Sequence, residues 1–197
     1  MCLLFETIAC ENERLLNLPW HNARLNASRE KLFSCSEPIS LDDISVPSST
    51  KIGLWRCRID YDEKIRNISF TPNLPKTIAS LRLVESNLEY QFKFDNRAEI
   101  EALYQQRADA DEIIIIKNGR VTDTSIANIL LFDGTRWITP DTPLLKGTMR
   151  QQLIDNGTIL VQPVLQEDLM GYQKIMLINA LNPFDELQVL DISAVLV

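Results

Sequence analysis

Short apolar runs that alternate with polar turns fill the first part of the chain. Residues 3–10, LLFETIAC, have the composition of a strand, and the polar tip at 11–13 predicts a hairpin return. Pro19 suits the first turn of a helix over about 19–33. The spacing of apolar residues predicts an inner and an outer face for this helix: Trp20, Ala27 and Leu32 inside, and Arg24, Arg29 and Lys31 outside.

Two more strand-like segments follow a polar stretch. Residues 36–50 are rich in Ser, Pro and Asp and predict a loop or short turns of helix. Segments 52–62 and 65–72 flank an acidic turn, which predicts a second hairpin, and residues 79–86 add another strand.

The second half of the chain mixes helices and strands. Residues 96–110 predict a helix, and the apolar run 113–116 leads into Asn118-Gly119. This pair is a strong hairpin signal because both residues tolerate the positive φ of a type I′ turn. The remaining predicted elements are strands at 128–132, 136–139, 158–164 and 174–180 and helices at 148–155 and 166–171.

Strands and helices without regular βαβ alternation predict an α+β fold in two parts. The Pro-containing segment 71–77 and the polar stretch 86–89 are the candidate boundaries. We therefore expect a smaller N-terminal α+β domain over 1–86 and a C-terminal α+β domain over 87–197.

Composition and charge exclude several classes of function. An apolar content of 45% with 24% charged residues is typical of a soluble globular protein with a real core. The net charge of −7 argues against a nucleic-acid binder, which needs clustered Lys and Arg. The apolar runs are too short to span a membrane, so we expect no membrane partner.

The cysteines stand alone in the sequence. Cys2, Cys10, Cys35 and Cys57 lack metal-ligand spacing, and His21 is the one histidine, so no metal site is expected. Isolated cysteines without a cleavable signal region are typical of reduced thiols in the cytoplasm.

Six short motifs occur in a recognisable order: FETI, LPWHNARL, KFDNR, VTDTSIANI, LLKGTMR and LINALNP. Together they resemble the class IV pyridoxal-phosphate enzymes, which include branched-chain and D-amino-acid aminotransferases and aminodeoxychorismate lyase. The resemblance runs from Phe5 to Pro183. It implies the two-domain fold type IV, pyridoxal 5′-phosphate in the cleft between the domains, and a homodimer. The NALNP segment is most similar to aminodeoxychorismate lyase.

Lys93 in KFDNR matches the family's catalytic lysine, which forms a Schiff base with the cofactor. A primary amine can serve if it is neutral near pH 7, and apolar neighbours such as Phe92 and Phe94 would favour that state. Arg24 in HNARL matches the arginine that holds the cofactor phosphate through paired hydrogen bonds. The structural alternatives are a lysine on an edge strand and an arginine on the exposed face of a helix.

Asp123 matches the carboxylate that faces the cofactor's pyridine nitrogen and keeps it protonated. Asn128 stands where the family has a helper Asn. The family usually has Glu at the carboxylate position, so Asp123 is one methylene shorter. The alternative is a solvated Asp at the end of a hairpin.

Three further residues match cofactor-binding positions. Thr148 and Met149 follow Gly147 in a turn similar to one whose helix N-terminus grips the cofactor phosphate. Met149 stands where the family usually has Thr, and Thr148 is one residue early. Asn179 begins the NALNP segment, and without the resemblance this segment would be an ordinary strand end and turn.

Arg56 and Arg58 are the candidates for binding a substrate carboxylate. They alternate with Trp55 and Cys57, so both point to one face of a strand, and an exposed sheet face is equally compatible with the pattern. Compared with the family, the N-terminal domain is shortened and lacks the opening strands, which leaves the substrate open.

The resemblance implies a lyase or aminotransferase that acts on a small amino-bearing substrate through the Lys93 Schiff base and abstraction of the α-proton. Aminodeoxychorismate lyase activity, which yields 4-aminobenzoate and pyruvate, and a related transamination both remain open. The alternative is a member of the fold that binds the cofactor with degenerate or no turnover. A purely structural module would leave the six ordered motifs to coincidence.

Overall fold

A computed structural model describes residues 3–196, so Cys2 lies outside the described residues. The chain forms two compact units, Met1–Pro75 with Phe92–Asn96 and Lys76–Gln91 with Arg97–Val197. The sequence placed one boundary near residue 86, and that domain boundary stays a prediction. Lys93 lies in the first unit, although the sequence assigned it to the C-terminal domain.

The first unit is a four-stranded antiparallel sheet with one long helix. Its strands have the order β2-β1-β3-β4. Both predicted hairpins and the helix are confirmed. The elements are β1 (Leu4–Glu11), β2 (Arg14–Leu15), α1 (Leu18–Phe33), β3 (Leu54–Tyr61) and β4 (Ile65–Pro72), with a 3₁₀ turn at Ser48–Lys51 in the predicted loop region.

The predicted inner face of α1 is wrong. Ala27 and Leu32 are exposed, whereas His21, Leu25, Ser28 and Arg29 are buried. The buried face is largely polar. Its side chains can be buried because they make hydrogen bonds to neighbouring elements. Arg29, for example, donates to the carbonyls of Glu37 and Glu63. Apolar periodicity does not detect such a face.

The core of the first unit lies between the sheet and α1. Alternate residues of β1 and β3 point to it, since neighbouring side chains of a strand lie on opposite faces. The fully buried members are Leu4, Ile8, Leu25, Leu41, Cys57, Ile59 and Tyr61.

The second unit contains two sheets, with strand orders β13-β5-β6-β7 and β10-β9-β8-β11-β12. Its elements are β5 (Leu81–Glu85), α2 (Ala98–Tyr104), β6 (Glu112–Lys117), β7 (Arg120–Val121), β8 (Asn128–Phe132), β9 (Trp137–Pro140), α3 (Thr148–Asp155), β10 (Leu160–Gln162), β11 (Lys174–Ile178), β12 (Leu190–Asp191) and β13 (Val195–Leu196). Three 3₁₀ turns lie at Gln105–Arg107, Gln166–Gly171 and Ile192–Ala194.

The local signals in this half were accurate. Asn118 and Gly119 have φ values of 51° and 71°, which confirms the predicted turn between β6 and β7. The helix predicted over 96–110 is shorter, because α2 ends at Tyr104 and Ala108 adopts a positive φ after a 3₁₀ turn. An apolar core built largely from β6, β8 and β11 underlies the unit and includes Ile114, Ile116, Ile129, Leu131, Ile175 and Leu177.

Candidate active site

Glu6 is a fully buried carboxylate on β1. It shares the inner face of that strand with Leu4 and Ile8, opposite α1. His21 Nδ1 lies 2.6 Å from Glu6 Oε2, and because a carboxylate can only accept, Nδ1 donates. Arg24 donates from Nε to Oε1 over 2.8 Å and from Nη2 to Oε2 over 2.5 Å. Arg24 is thus held on the inner side of α1, which corrects its predicted place on the outer face.

Burial and pairing act in opposite directions on Glu6. Burial alone would raise its pKa, but the charge of Arg24 and the hydrogen bonds from His21 and Arg24 lower the pKa to about 2. For His21 burial dominates and lowers the pKa, while the contact with Glu6 opposes this. Near pH 7, Glu6 is therefore ionised and His21 is a neutral donor.

Lys93 lies on a short segment that extends the edge of β1. Its carbonyl accepts from the Phe5 N–H over 3.0 Å, and Asp95 donates its N–H to the Leu3 carbonyl. The side chain of Lys93 is partly buried, and its Nζ lies 4.7 Å from the centroid of the Phe5 ring. The apolar surroundings expected of Lys93 thus include Phe5 directly. Phe92 and Phe94 pack against the core of the unit.

Arg58 lies beside the same ring. Its guanidinium carbon is 4.1 Å from the Phe5 centroid, and it pairs with Asp60 over 2.7 Å and with Asp95 over 2.5 Å. Arg56 shares the face, because β1 and β3 pair Ala9 with Arg56 and Thr7 with Arg58. Arg56 is exposed and has no ion pair with any residue in 3–196.

Asp123 is buried rather than solvated. Its side chain follows β7 into the interior of the second unit, where Asn128 Nδ2 donates to Oδ1 over 2.7 Å and the Leu145 N–H donates to Oδ2 over 2.9 Å. Burial raises the pKa of Asp123 to about 6, against the lowering effects of these hydrogen bonds and of the Arg150 charge. Both oxygens are fixed, so the carboxylate is held in one orientation.

Arg150 is a buried cation that was not among the predicted site residues. Its Nε donates to Thr139 Oγ1 over 3.0 Å and its Nη2 donates to the Pro140 carbonyl over 2.8 Å. Burial lowers its pKa, while Asp123 and Asp141 oppose that effect. Arg150 thus ties α3 to β9 and contributes positive charge near Asp123.

The start of α3 fits closely around Asn128. A Cβ at Gly147 would overlap with Asn128 Oδ1, so only glycine is compatible with this amide position. Thr148 begins the helix and is buried. Met149 packs its side chain among Leu130 and Leu153 in an apolar cluster, so a polar contribution from Met149 would have to come from its backbone N–H.

Asn179 organises the turn after β11. Its Oδ1 accepts from the N–H groups of Leu181 and Asn182 over 2.9 Å each, and its Nδ2 donates to the Ile126 carbonyl over 3.3 Å. Asn179 therefore connects this turn to the loop that follows Asp123.

Several contributors were not among the predicted site residues. Glu6 belongs to the FETI motif but was assigned no role. Its alternation along β1 with Leu4 and Ile8 was the signal that could have indicated its burial. Phe5 and Asp95 lie in the FETI and KFDNR motifs but were assigned no role, because their contacts with Arg58 join residues far apart in sequence.

These features define a class of protein. The sequence profile of the amino-transferase class IV family matches residues 63–187, and this chain belongs to that family. The fold is that of the fold type IV transaminases and aminodeoxychorismate lyases, as the motifs implied.

Individual relatives agree with this assignment. An uncharacterised protein of Haemophilus influenzae is 37% identical over 185 residues, which cover 91% of this chain and 97% of that protein. The crystal structure of a candidate 4-amino-4-deoxychorismate lyase from Haemophilus somnus superposes with a TM-score of 0.86 at 34% identity, covering 93% of this chain and 98% of that one. A hypothetical aminotransferase from Mycobacterium tuberculosis in a PLP-bound form shares the fold, with a TM-score of 0.74 at 19% identity over 92% and 78% of the two chains.

The described residues contain neither a metal-binding cluster nor a membrane-spanning helix. Within 3–196, no three His, Cys, Asp or Glu side chains are grouped to hold a metal ion. No helix in the same range is both long and apolar enough to cross a bilayer.

Proposed function

We propose that this chain is a pyridoxal-phosphate-dependent enzyme that acts on a small amino-bearing substrate, as an aminodeoxychorismate lyase or a related aminotransferase. The observation that carries the proposal is Asp123, a buried carboxylate with both oxygens held and a pKa raised to about 6. A carboxylate is rarely buried without a partner cation in direct contact unless its site has a use for the charge.

The residues of the chain fit this cofactor. When bound, pyridoxal phosphate supplies an aldehyde that condenses with amines and a ring that accepts electron density. Asp123, whose two carboxylate oxygens are held by Asn128 and by the Leu145 N–H, is the group proposed to face the ring nitrogen. Arg24 and the N–H groups at the start of α3 are the donors proposed for the phosphate.

Lys93 is the proposed nucleophile and base. Its amine lies against the Phe5 ring in a partly buried setting, which limits its hydration. With the cofactor bound, the Lys93 amine would act as the general base that accepts the α-proton of the substrate. Asn179 and Thr148 are proposed to bind the cofactor through the turn after β11 and the start of α3. Met149 is proposed to contribute through its backbone.

The cofactor is tested by visible absorption. Wild-type protein incubated with pyridoxal phosphate should develop an absorption band that Lys93→Ala lacks and that a mixture of amino donors changes. The matched control is Lys64→Ala, an exposed lysine of the first unit, which should keep the band. A band that survives in Lys93→Ala, or no band at all in the wild type, would reject the proposal.

The reaction is tested on the same protein. Release of pyruvate from aminodeoxychorismate would identify a lyase, and a new amino acid from amino and keto acid pairs would identify an aminotransferase. A Lys93-dependent band without either product would favour a cofactor-binding protein that has lost turnover.

Two further properties follow from the same proposal. Family resemblance supports a homodimer, which sedimentation of the purified chain would test. A cytoplasmic location is supported by the free cysteines: Cys10 and Cys57 are buried thiols, and burial raises the pKa of Cys57 to about 12. Localisation of a tagged full chain would test this.

A further inference from the structure

We propose that Arg97 and Glu112 are positioning residues of the cofactor site. They hold the loop 124–127, which follows Asp123, by binding the two backbone groups of Ser125. The inference rests on the proposed function, because the loop matters through the carboxylate that is proposed to face the ring nitrogen. It goes further by giving a task to two charged side chains that the proposed mechanism does not use.

The loop 124–127 begins and ends at the residues that orient the buried carboxylate. Asp123 and Asn128 form an isolated antiparallel backbone bridge across the base of the loop, and Asn128 Nδ2 donates to Asp123 Oδ1 over 2.7 Å. A displacement of the loop therefore moves the carboxylate and its amide donor together. The position of the loop within the second unit thus sets the position of the carboxylate.

Contacts within the loop fix its shape. Thr124 Oγ1 accepts from the N–H groups of Ile126 and Ala127 over 3.2 Å and 2.9 Å, and the Thr124 N–H donates to the Ala127 carbonyl over 2.9 Å. All of these partners belong to the loop itself. They cannot place the loop against the rest of the unit, so that task falls to contacts from other elements.

Ser125 makes the contacts that place the loop. Its N–H donates to Glu112 Oε1 over 3.3 Å, and its carbonyl accepts from Arg97 Nη2 over 2.6 Å. Glu112 is the first residue of β6, and Arg97 immediately precedes α2, so one residue is held from two elements. A carboxylate and a guanidinium make stronger hydrogen bonds than neutral groups do. A third contact, from Asn179 Nδ2 to the Ile126 carbonyl over 3.3 Å, joins neutral groups.

The burial of Glu112 supports this role. Its side chain belongs to a residue that is only 1% exposed, and within residues 3–196 its Oε1 accepts only from the backbone N–H groups of Ile113 and Ser125. Glutamate is rarely buried this fully without a partner cation. Without Glu112 the buried N–H of Ser125 would lose its acceptor, which is costly. The carboxylate therefore has a use at this position, as the acceptor that anchors the loop.

Arg97 is the last residue of the KFDNR motif, which the proposed mechanism uses only through Lys93. Its side chain is partly buried and reaches the carbonyl of Ser125, which lies 28 positions further along the chain. Arg97 forms no ion pair with any residue in 3–196, so its guanidinium is directed at this carbonyl and not at a carboxylate. The motif thus supplies a second functional side chain besides the lysine.

The first test compares two ligands that differ at the ring nitrogen. Cofactor-free protein is titrated with pyridoxal phosphate and with its deaza analogue, in which a carbon atom replaces that nitrogen. Arg97→Ala and Glu112→Ala should each weaken binding of pyridoxal phosphate by about tenfold, the size of one lost hydrogen bond to a charged group, and weaken binding of the analogue much less. A variant that only disturbs the fold would weaken both ligands equally, and equal losses would overturn the proposal.

Conservative variants add a second criterion. Glu112→Gln keeps an oxygen acceptor for the Ser125 N–H, and Arg97→Lys keeps a donor for the one hydrogen bond that Arg97 makes to the carbonyl. Each should recover most of the affinity that the alanine variant loses, and losses as large as those of the alanine variants would contradict the proposal. The matched controls are Glu99→Ala and Arg82→Ala, which remove exposed charges of the second unit and should bind both ligands as the wild type does.

Amide hydrogen exchange of the cofactor-free protein measures the loop directly. In Arg97→Ala the N–H groups of residues 124–127 should exchange about tenfold faster than in the wild type, whereas those of β11 should be unchanged. Unchanged exchange in the loop would overturn the proposal. Arg97 is only partly buried and lies at the start of a helix, so this variant carries the test even if Glu112→Ala does not fold.

The double variant shows whether the two side chains act on one loop. Arg97→Ala combined with Glu112→Ala should lose little more affinity for pyridoxal phosphate than the more affected single variant, because either change already releases Ser125. Additive losses would mean two separate roles and would contradict a shared one.

The outcomes separate this proposal from the one before it. Absence of the Lys93-dependent band would reject the cofactor and both proposals together. An intact band, with wild-type discrimination between the two ligands in Arg97→Ala and Glu112→Ala, would reject the positioning role alone.

Discussion

The side-chain amide of Asn128 donates a 2.7 Å hydrogen bond to Oδ1 of Asp123, and the same amide nitrogen donates to the Leu145 carbonyl over 2.9 Å. Asn128 therefore holds both the Asp123 carboxylate and the segment at Leu145 that precedes α3. The position of the Asn128 amide depends on Gly147, because a side chain at residue 147 would overlap with Asn128 Oδ1.

Gly147→Ala should disturb this arrangement. The added methyl group must displace the Asn128 amide, so the hydrogen bonds to Asp123 and Leu145 are lost or lengthened. We expect a fall in the free energy of unfolding of about 2–3 kcal/mol, the size of a buried polar group left without its partner. Chemical denaturation and titration with pyridoxal phosphate measure the two effects, and the affinity for the cofactor should fall as well.

Gly171→Ala is the control for Gly147→Ala. Nothing lies within 4 Å of a Cβ at Gly171, and its φ is not positive. Its free energy of unfolding should stay within about 0.5 kcal/mol of the wild type. Equal stability and cofactor affinity in both variants would contradict the role given to Gly147.

Asp123 should make the stability depend on pH in an unusual direction. Its pKa is raised from 3.8 to about 6 by burial, so the folded state binds the proton more tightly than the unfolded state does. The stabilising contribution is complete below pH 3.8 and is lost as the pH rises through 6. At high pH the loss of this contribution lowers the free energy of unfolding by about 3 kcal/mol.

Comparison of wild type with Asp123→Asn isolates this contribution. The free energy of unfolding of the wild type, relative to the variant, should decrease between pH 4 and pH 7. Asp109→Asn, at an exposed position, should show no such trend. A wild-type advantage that grows with pH would mean that the buried carboxylate is stabilised as the anion, contrary to the prediction.

The sequence predicted the elements of this fold better than it predicted their environments. The hairpin at Asn118-Gly119 and the limits of α3 come from residues whose backbone preferences act locally, and both are confirmed. The burial of Asp123 could not be inferred from the same stretch, because a carboxylate at the end of a short strand is ordinarily solvated. It depends on Asn128 and on the backbone N–H of Leu145, which is 22 positions away.

The contacts of Glu6 were hidden for a similar reason. Its partners His21 and Arg24 are 15 and 18 positions away, and apolar spacing had placed Arg24 on the outer face of α1. Ordered family motifs marked Arg24 as functional, but they did not reveal its buried partner. Pairing of polar side chains that are distant in sequence depends on the packed structure. It does not appear in the spacing of residue types along the chain.

Glu6→Gln should destabilise the first unit. The pKa of Glu6 is lowered from 4.5 to about 2, which corresponds to a contribution of about 3 kcal/mol that is present above pH 4.5 and is lost as the pH falls towards 2. The free energy of unfolding of the variant should therefore be lower than that of the wild type at pH 7, and the gap should narrow in acid. Urea denaturation at several pH values measures this.

Glu11→Gln is the companion measurement for Glu6. Glu11 is exposed at the end of the same strand, so the same chemical change should alter the stability by less than about 0.5 kcal/mol at any pH. If both variants lost the same amount, the effect would reflect the net charge of the chain and not the buried pairing.

Arg24→Gln should weaken binding of the cofactor. The loss should come only from the contact with the phosphate group of the cofactor. Arg24 is oriented by two hydrogen bonds to the buried Glu6 carboxylate, and its side chain is 15% exposed. Loss of one charge-assisted contact should reduce the affinity for pyridoxal phosphate by about tenfold or more. The affinity for pyridoxal, which has no phosphate, should change little, so the ratio of the two dissociation constants is the informative quantity. Arg14→Gln, an exposed arginine on β2, should leave both constants unchanged, and equal losses for the two ligands in Arg24→Gln would show that Arg24 supports the structure without contacting the phosphate.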